Sequence, residues 1–295
     1  MERKIQYVSL ACRQNLFDLL CAEGSADLVG NLRAYEGIPR PEDESFEVSC
    51  ELVNGVRADS IRIAIMNLHR QDVLRWAACR HRIPLIEDLL FDNATDGCFG
   101  IGFADYSSGR GVCRTKIYTE YGSSNSKAGK LAHLQRLFPL LNISDKEFKD
   151  DLKRFGKVDA TGIDWDAQDR SVIKVYWGPF QLEELLAKYS DVLLSKEILC
   201  YDLLRQYDLL PRSFLIVAKY SGEGRSRRTD LCIRTRRVVP FFRMFDPHKE
   251  AAKVFLDISR IYPRWRLEYI GLQWEPVEKV QFYFLMGGKD VAKRS

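Results

Sequence analysis

The chain has 295 residues, enough for one large domain or two ordinary ones, and its 46% apolar and 12% aromatic content excludes a disordered polypeptide. A net charge of only +4 excludes the strongly basic profile of a dedicated nucleic-acid binder. No apolar run nears the ~18 residues of a membrane span and Met1-Glu2-Arg3-Lys4-Ile5 opens no signal-peptide core, so a cytoplasmic protein with no membrane contact is expected.

In chain order, apolar spacing over 4–36 predicts one or two amphipathic helices, ended by the turn-rich Gly37-Ile38-Pro39. Residues 46–54 and 57–68 read as a hairpin turning at Asn54-Gly55, followed by a helix over 70–92 broken at Pro84. A second hairpin (99–106 and 111–121) leads to a helical stretch over 128–155, interrupted near Pro139 with a restart cap in Asn142-Ile143-Ser144-Asp145. The third hairpin is 158–165 and 171–178, with helices over 180–193 and 196–208 behind it. The fourth, 214–221 and 229–238, carries the basic run Arg225-Ser226-Arg227-Arg228 at its tip as a solvated loop. A helix over 247–260, with His248 at its start, and a fifth hairpin (267–275 and 279–286) complete the pattern.

Hairpins thus alternate with helices at a period of fifty to sixty residues, and no linker interrupts them. Ten antiparallel strands in an open sheet would leave long edges, which closure removes. One helical layer per repeat then covers the outside. The expected fold is α+β: five αββα repeats forming a closed ten-stranded antiparallel barrel ringed by helices, one domain over 1–295, acting as a monomer. Ten strands exceed the roughly eight whose side chains just fill a lumen, so this barrel should hold a ligand.

The second strands indicate what ligand. Several carry a cation followed two places later by a tyrosine: Lys116 with Tyr118, and Lys174 with Tyr176. Side chains two apart share a face of a strand. Arg62, Arg234 and Tyr283 occupy the equivalent strands, and Arg114 shares parity with Lys116. The intervening Ile117, Ile173 and Val175 make the other face apolar, fit to pack under helices. A lumen of cations and phenols suits an anionic substrate whose other end becomes a carbocation. Glu47 lies on a first strand beside Phe46 and Val48, and Asp164, Asp166 and Glu275 lie on later first strands. Trp274 could line a wall or an acceptor pocket. The eight cysteines form no C-x-x-C pair and the four histidines are scattered, so no protein metal framework is visible.

The architecture, with Phe46-Glu47-Val48-Ser49-Cys50 leading through a hairpin to Arg62 and Gly162-Ile163-Asp164 leading to Lys174-Val175-Tyr176, resembles the ABBA-type aromatic prenyltransferases. Within them it is most similar to the cyanobactin (ribosomal peptide) prenyltransferases. The resemblance implies transfer of a dimethylallyl or geranyl group from an allylic diphosphate, often assisted by Mg2+, to a Tyr, Trp or Arg side chain of a ribosomally made, cyclic peptide. By it, Arg62, Arg114, Lys116, Lys174 and Arg234 hold the diphosphate, Tyr118, Tyr176 and Tyr283 shield the cation, and Glu47 takes the acceptor's proton. The stretch at Val217 and Ala218 on the seventh strand lies beside the prenyl tail, where Ala218 leaves room for geranyl; from their strand positions, Asp164 and Trp274 are expected to touch the acceptor. A small aromatic metabolite is the alternative acceptor. A barrel that binds single-stranded nucleic acid on an outer platform is the alternative class.

Overall fold

The structure is a computed structural model that describes residues 46–78, 86–91, 99–106, 114–121, 126–165, 170–190, 201, 204–206, 208, 211–246, 248–261, 265–273 and 277–286. The expected helices over 4–36, and Asp166, Trp274 and Glu275, lie outside the described residues.

The strands are β1 (Phe46–Val53), β2 (Val56–Leu68), β3 (Phe99–Tyr106), β4 (Arg114–Glu120), β5 (Val158–Trp165), β6 (Ser171–Phe180), β7 (Ser213–Ser221), β8 (Gly224–Thr235), β9 (Trp265–Gln273) and β10 (Lys279–Met286). Between the hairpins come α1 (Arg70–Ala78), α2 (Ile86–Leu89), α3 (Lys127–Leu140), α4 (Lys146–Phe155), α5 (Leu182–Tyr189), α6 (Val239–Phe245) and α7 (Glu250–Ile261). Each strand pairs antiparallel with its sequence neighbours, and β1 pairs with β10, so the ten strands close into one barrel. The seam runs from Phe46↔Met286 to Val53↔Lys279.

Local chemistry explains the element ends. Asn54 (φ 51°) and Gly55 (φ 77°) both sit at positive φ, the conformation a tight two-residue hairpin turn demands. Ser126 accepts the Gly129 N–H at 3.1 Å and caps α3. The Asp246 carboxylate accepts the N–H groups of Glu250 (2.7 Å) and Ala252 (2.8 Å) at the start of α7. His248 is an exposed turn residue just before that helix.

The fourth hairpin differs from the sequence expectation. Its turn is Gly222-Glu223, so Arg225, Ser226, Arg227 and Arg228 are strand residues and not a solvated tip. Alternation sends Arg225 and Arg227 outward to α4, where fully buried Asp151 accepts from Arg225 (2.8 Å), from Arg227 and from the Tyr220 hydroxyl (2.7 Å). That cluster ties α4 to β7 and β8.

The core lies outside the barrel. Val48, Ile63, Ile101, Ile117, Ile163, Val175, Ile216, Leu231, Ile270 and Phe282 are buried, one from each strand, in a cluster shared with Phe138, Phe148, Phe241 and Val254 of the helices. The opposite parity of every strand faces the lumen, and that face is largely polar.

Candidate active site

Directly paired residues share a face of the sheet, so register alone assigns the lumen wall. Glu47 pairs with Ala64, Ala64 with Gly102, Gly102 with Lys116 and Lys116 with Asp164. One pleat away, Tyr118 pairs with Gly162, Gly162 with Lys174 and Lys174 with Lys219. Tyr176 pairs with Val217 and Val217 with Arg228, while Tyr283 pairs with both Ser49 and Tyr269. Glu47, Ser49, Arg62, Arg114, Lys116, Tyr118 and Asp164 line one pocket. Arg114 and Asp164 also border a larger cavity of about 380 Å³ at the hairpin end, beside the Ser221–Glu223 turn and the α3–α4 loop.

Cations converge on that half of the lumen. Lys174 is ion-paired with Asp164 Oδ2, and Lys116 Nζ lies 3.9 Å from Asp164 Oδ1. Burial alone would raise the Asp164 carboxyl, but Lys174 and then Lys116 override it and hold the group well below the usual carboxylate range. Arg228 is ion-paired with Asp230, donating from Nη2 to Oδ2 at 2.8 Å with Nε 2.8 Å from Oδ1, and donates from Nη1 to Gln281 Oε1 at 2.7 Å. Arg62 meets Glu51 at 3.5 Å, and Lys279 meets the same carboxylate at 3.9 Å. Burial and the neighbouring Lys174 hold the Lys116 ammonium well below the ordinary lysine range. The lumen therefore carries more cationic side chains than its carboxylates neutralise, an excess that favours negative charge there.

Phenols stand against these cations. Lys116 Nζ donates to the Tyr118 hydroxyl and, at 3.2 Å, to that of Tyr176; it lies 3.7 Å from the Tyr118 ring centroid. Arg228 lies 5.4 Å from the Tyr283 ring, and Tyr283 meets Tyr269 edge-on at 6.4 Å. Burial pushes the hydroxyls of Tyr118, Tyr176, Tyr269 and Tyr283 upward, so all four stay neutral phenols. Glycines make room for this set. A Cβ at Gly162 would lie 3.0 Å from Lys116 Cε, and one at Gly271 would lie 2.7 Å from Asp230 Oδ1.

Glu47 sits nearer the helix-connected ends of the strands. Burial raises its carboxyl to about 7; Lys116 opposes the rise, and Asp230, Glu268 and Glu120 add to it. A carboxyl poised there changes protonation near neutral pH, as a proton acceptor must. Glu268 is held at 2.6 Å by both Arg234 and Arg266.

Of the expected site residues, Glu47, Arg62, Arg114, Lys116, Lys174, Tyr118, Tyr176, Tyr283 and Asp164 all come to the lumen wall. Asp164, expected beside the acceptor, stands instead inside the cation cluster, held by Lys174. Arg234 does not join: a register shift between Cys232 and Thr235 and a φ of 51° turn it to the rim, where its side chain is 42% exposed. Arg228 fills that place. Ala218 pairs with Val175 and is buried in the outer core, so the lumen residue of this stretch is Val217. Arg228, Asp230, Lys219, Glu51, Gln281 and Tyr269 were not anticipated from sequence, although strand alternation carried through the basic run would have found the first two.

The donor set does not fit a protein-held Mg2+. Among the described residues no three His, Cys, Asp or Glu side chains converge, and the carboxylates nearest the cluster, Asp164 and Asp230, are each taken by a cation. Among the described residues, too, no helix is long and apolar enough to cross a membrane.

With this geometry in view, the fold is that of the ABBA prenyltransferase barrel. Among the solved structures it matches are a 6-dimethylallyltryptophan synthase from Micromonospora olivasterospora in complex with DMASPP and Trp (TM-score 0.68, 13% identity, 94% of this chain and 97% of that one). A 5-dimethylallyl tryptophan synthase from Streptomyces coelicolor, likewise with DMASPP and Trp, matches at TM-score 0.68 and 14% identity over 98% of each chain. PriB in a binary complex with product diphosphate matches at TM-score 0.61 and 14% identity over 95% of this chain and 98% of that one. No family model and no curated protein sequence matches the chain.

Proposed function

We propose that this protein is a prenyltransferase that moves a dimethylallyl or geranyl group from an allylic diphosphate to a nucleophilic side chain of a peptide. The observation that carries the reading is the juxtaposition, inside one closed barrel, of a cation cluster, a wall of neutral phenols and a carboxyl poised near neutrality. Arg62, Arg114, Lys116, Lys174 and Arg228 hold the diphosphate. The allylic C–O bond breaks with its electron pair leaving on the diphosphate, whose growing charge those cations stabilise. Tyr118, Tyr176 and Tyr283 flank the allyl cation, each face offering a cation–π attraction that reaches about 2 kcal/mol in a site closed to water. The acceptor's nucleophilic atom forms the new bond to carbon, and its proton passes to Glu47.

A second acceptor class, a small aromatic molecule, is supported by the tryptophan bound in the two dimethylallyltryptophan synthases of like fold. The outer-platform alternative finds no support among the described residues: Arg62, Lys116, Lys174 and Arg228 line the lumen, and the apolar parity of each strand is buried under helices. The test is product formation by mass spectrometry, with dimethylallyl and geranyl diphosphates each offered to tryptophan, to linear and to cyclic peptides containing Tyr, Trp or Arg. A mass gain of one prenyl group on a peptide supports the reading; turnover confined to free tryptophan moves it to the second class.

A further inference from the structure

We propose that binding of the diphosphate brings a proton into the lumen, and that Lys219 of β7 receives it. This rests on the prenyl-transfer reading and adds to it a proton balance for donor binding. Lys219 is paired across the sheet with Lys174, which sets the two side-chain stems about 5 Å apart on one face. The charged groups around it come from every neighbouring element. From β6 there is Lys174, from β8 Arg228, from β2 Arg62 and from β1 Glu51. Beyond these, Asp164 of β5 pairs with Lys174 and lies 3.9 Å from Lys116 of β4, and Asp230 of β8 is bound to Arg228. Among the described residues the carboxylate that most favours a charged Lys219 is Glu51, and it is already shared by Arg62 (3.5 Å) and by Lys279 of β10 (3.9 Å).

Among the described residues, Lys219 thus faces the cations Lys174, Arg228 and Arg62 and shares the Glu51 carboxylate with two other cations. Lys116, the other crowded lysine, differs: it lies near Asp164 and donates to the hydroxyls of Tyr118 and Tyr176. Burial first, and then the charges of Lys174, Arg228 and Arg62, hold the Lys219 ammonium well below the ordinary lysine range. In the donor-free barrel the cheapest way to relieve that repulsion is to release the proton to solvent. A diphosphate seated among Lys174, Arg62 and Arg228 reverses the sign of the local field, and Nζ then takes a proton back from solvent. No bond other than N–H is made.

Isothermal titration with a non-hydrolysable prenyl thiodiphosphate tests this at pH 8, where a phosphate whose last pKa is about 6 is fully ionised. Titrations in buffers of different ionisation enthalpy give the number of protons exchanged. About one proton should be taken up per donor bound by the wild type, and its affinity should fall about tenfold per pH unit over the linked range. Lys219→Met, uncharged at every pH, and Lys219→Arg, charged at every pH, should both bind with uptake near zero. Donor binding without proton uptake by the wild type overturns the inference. So does uptake that persists undiminished in the two variants, which places the proton elsewhere. A wild type that binds no prenyl thiodiphosphate at all overturns the prenyl-transfer reading, and this inference with it.

Discussion

Lys174 and Asp164 are ion-paired within the lumen, and the same carboxylate lies 3.9 Å from Lys116, so one acid positions two ammonium groups from strands β4 and β6. An exposed pair of this kind would contribute little. Buried among phenols, it fixes both lysines where a diphosphate can exchange for the acid's attention.

The first prediction concerns these lysines. Lys174→Ala and Lys116→Ala should each weaken binding of a prenyl thiodiphosphate by about 1.5–3 kcal/mol, roughly ten- to a hundredfold, with turnover falling in step. Titration calorimetry on variants whose circular dichroism matches the parent measures this. Unchanged affinity in both would remove them from the donor site.

Arg228 and Arg234 should separate cleanly. Arg228→Lys loses the planar guanidinium that reaches Asp230 and Gln281 from two different nitrogens, which a single ammonium cannot reproduce, and donor affinity should drop about tenfold or more. Arg234→Ala, at the rim on Glu268, should change donor affinity less than about threefold, within the roughly 1 kcal/mol of an exposed pair. Equal losses in the two variants would contradict the register that separates them.

Glu47 carries a pH signature. Its carboxyl, raised to about 7, is protonated below that pH and cannot take the acceptor's proton. kcat/KM for the acceptor should therefore climb as pH rises through about 7 and level off above it. Glu47→Gln should lower turnover about 10²–10⁴-fold, abolish that limb and leave donor affinity intact. A Gln variant with the parental profile would show that the proton leaves by another route.

Donor length should answer to Val217, not Ala218. Val217 is fully buried between Tyr176 and Arg228 on the lumen wall, so Val217→Phe should shift the preference from geranyl toward dimethylallyl diphosphate. Ala218→Phe overfills the outer core instead, lowering stability by about 1–3 kcal/mol without changing the donor ratio. Rates with the two donors, beside melting curves, distinguish these outcomes.

The lumen glycines give a fifth test. Gly271→Ala would press a methyl group to 2.7 Å from Asp230 Oδ1, a contact that displaces the Arg228 ion pair. Donor affinity should fall together with stability, the latter by about 1–3 kcal/mol. A variant with parental affinity and melting temperature would mean that the pair has room to move.

Strand parity was the most legible signal in the chain. It placed Lys116 with Tyr118 and Lys174 with Tyr176 on one face because period-2 alternation survives wherever the ladder is regular. It failed where the ladder is not. The shift between Cys232 and Thr235 interrupts the ladder at Arg234, whose φ is 51°, and no residue there announces it. The basic run 225–228 looked like a loop because charge density was weighed above alternation, although Gly222 and Gly224 already mark a two-residue turn. Ala218 was misplaced for a simpler reason: its neighbours Phe214, Ile216 and Tyr220 share its parity and belong to the core. Lys219 stood beside it in plain view, but nothing in the sequence shows that its cross-strand neighbour is another lysine.

The β1–β10 seam has a temporal consequence. Gln281 donates to Ser49 at 3.1 Å across 232 residues of chain, and Glu47 shares its enclosure with Tyr283 only once those edges meet. Every earlier stage of synthesis leaves an open sheet with two unpaired borders, and contacts of such separation form late and slowly. A nascent chain that lacks the final hairpin therefore has its cations and phenols but no enclosed chamber. The enclosed lumen comes into being in one event, when β10 finds β1.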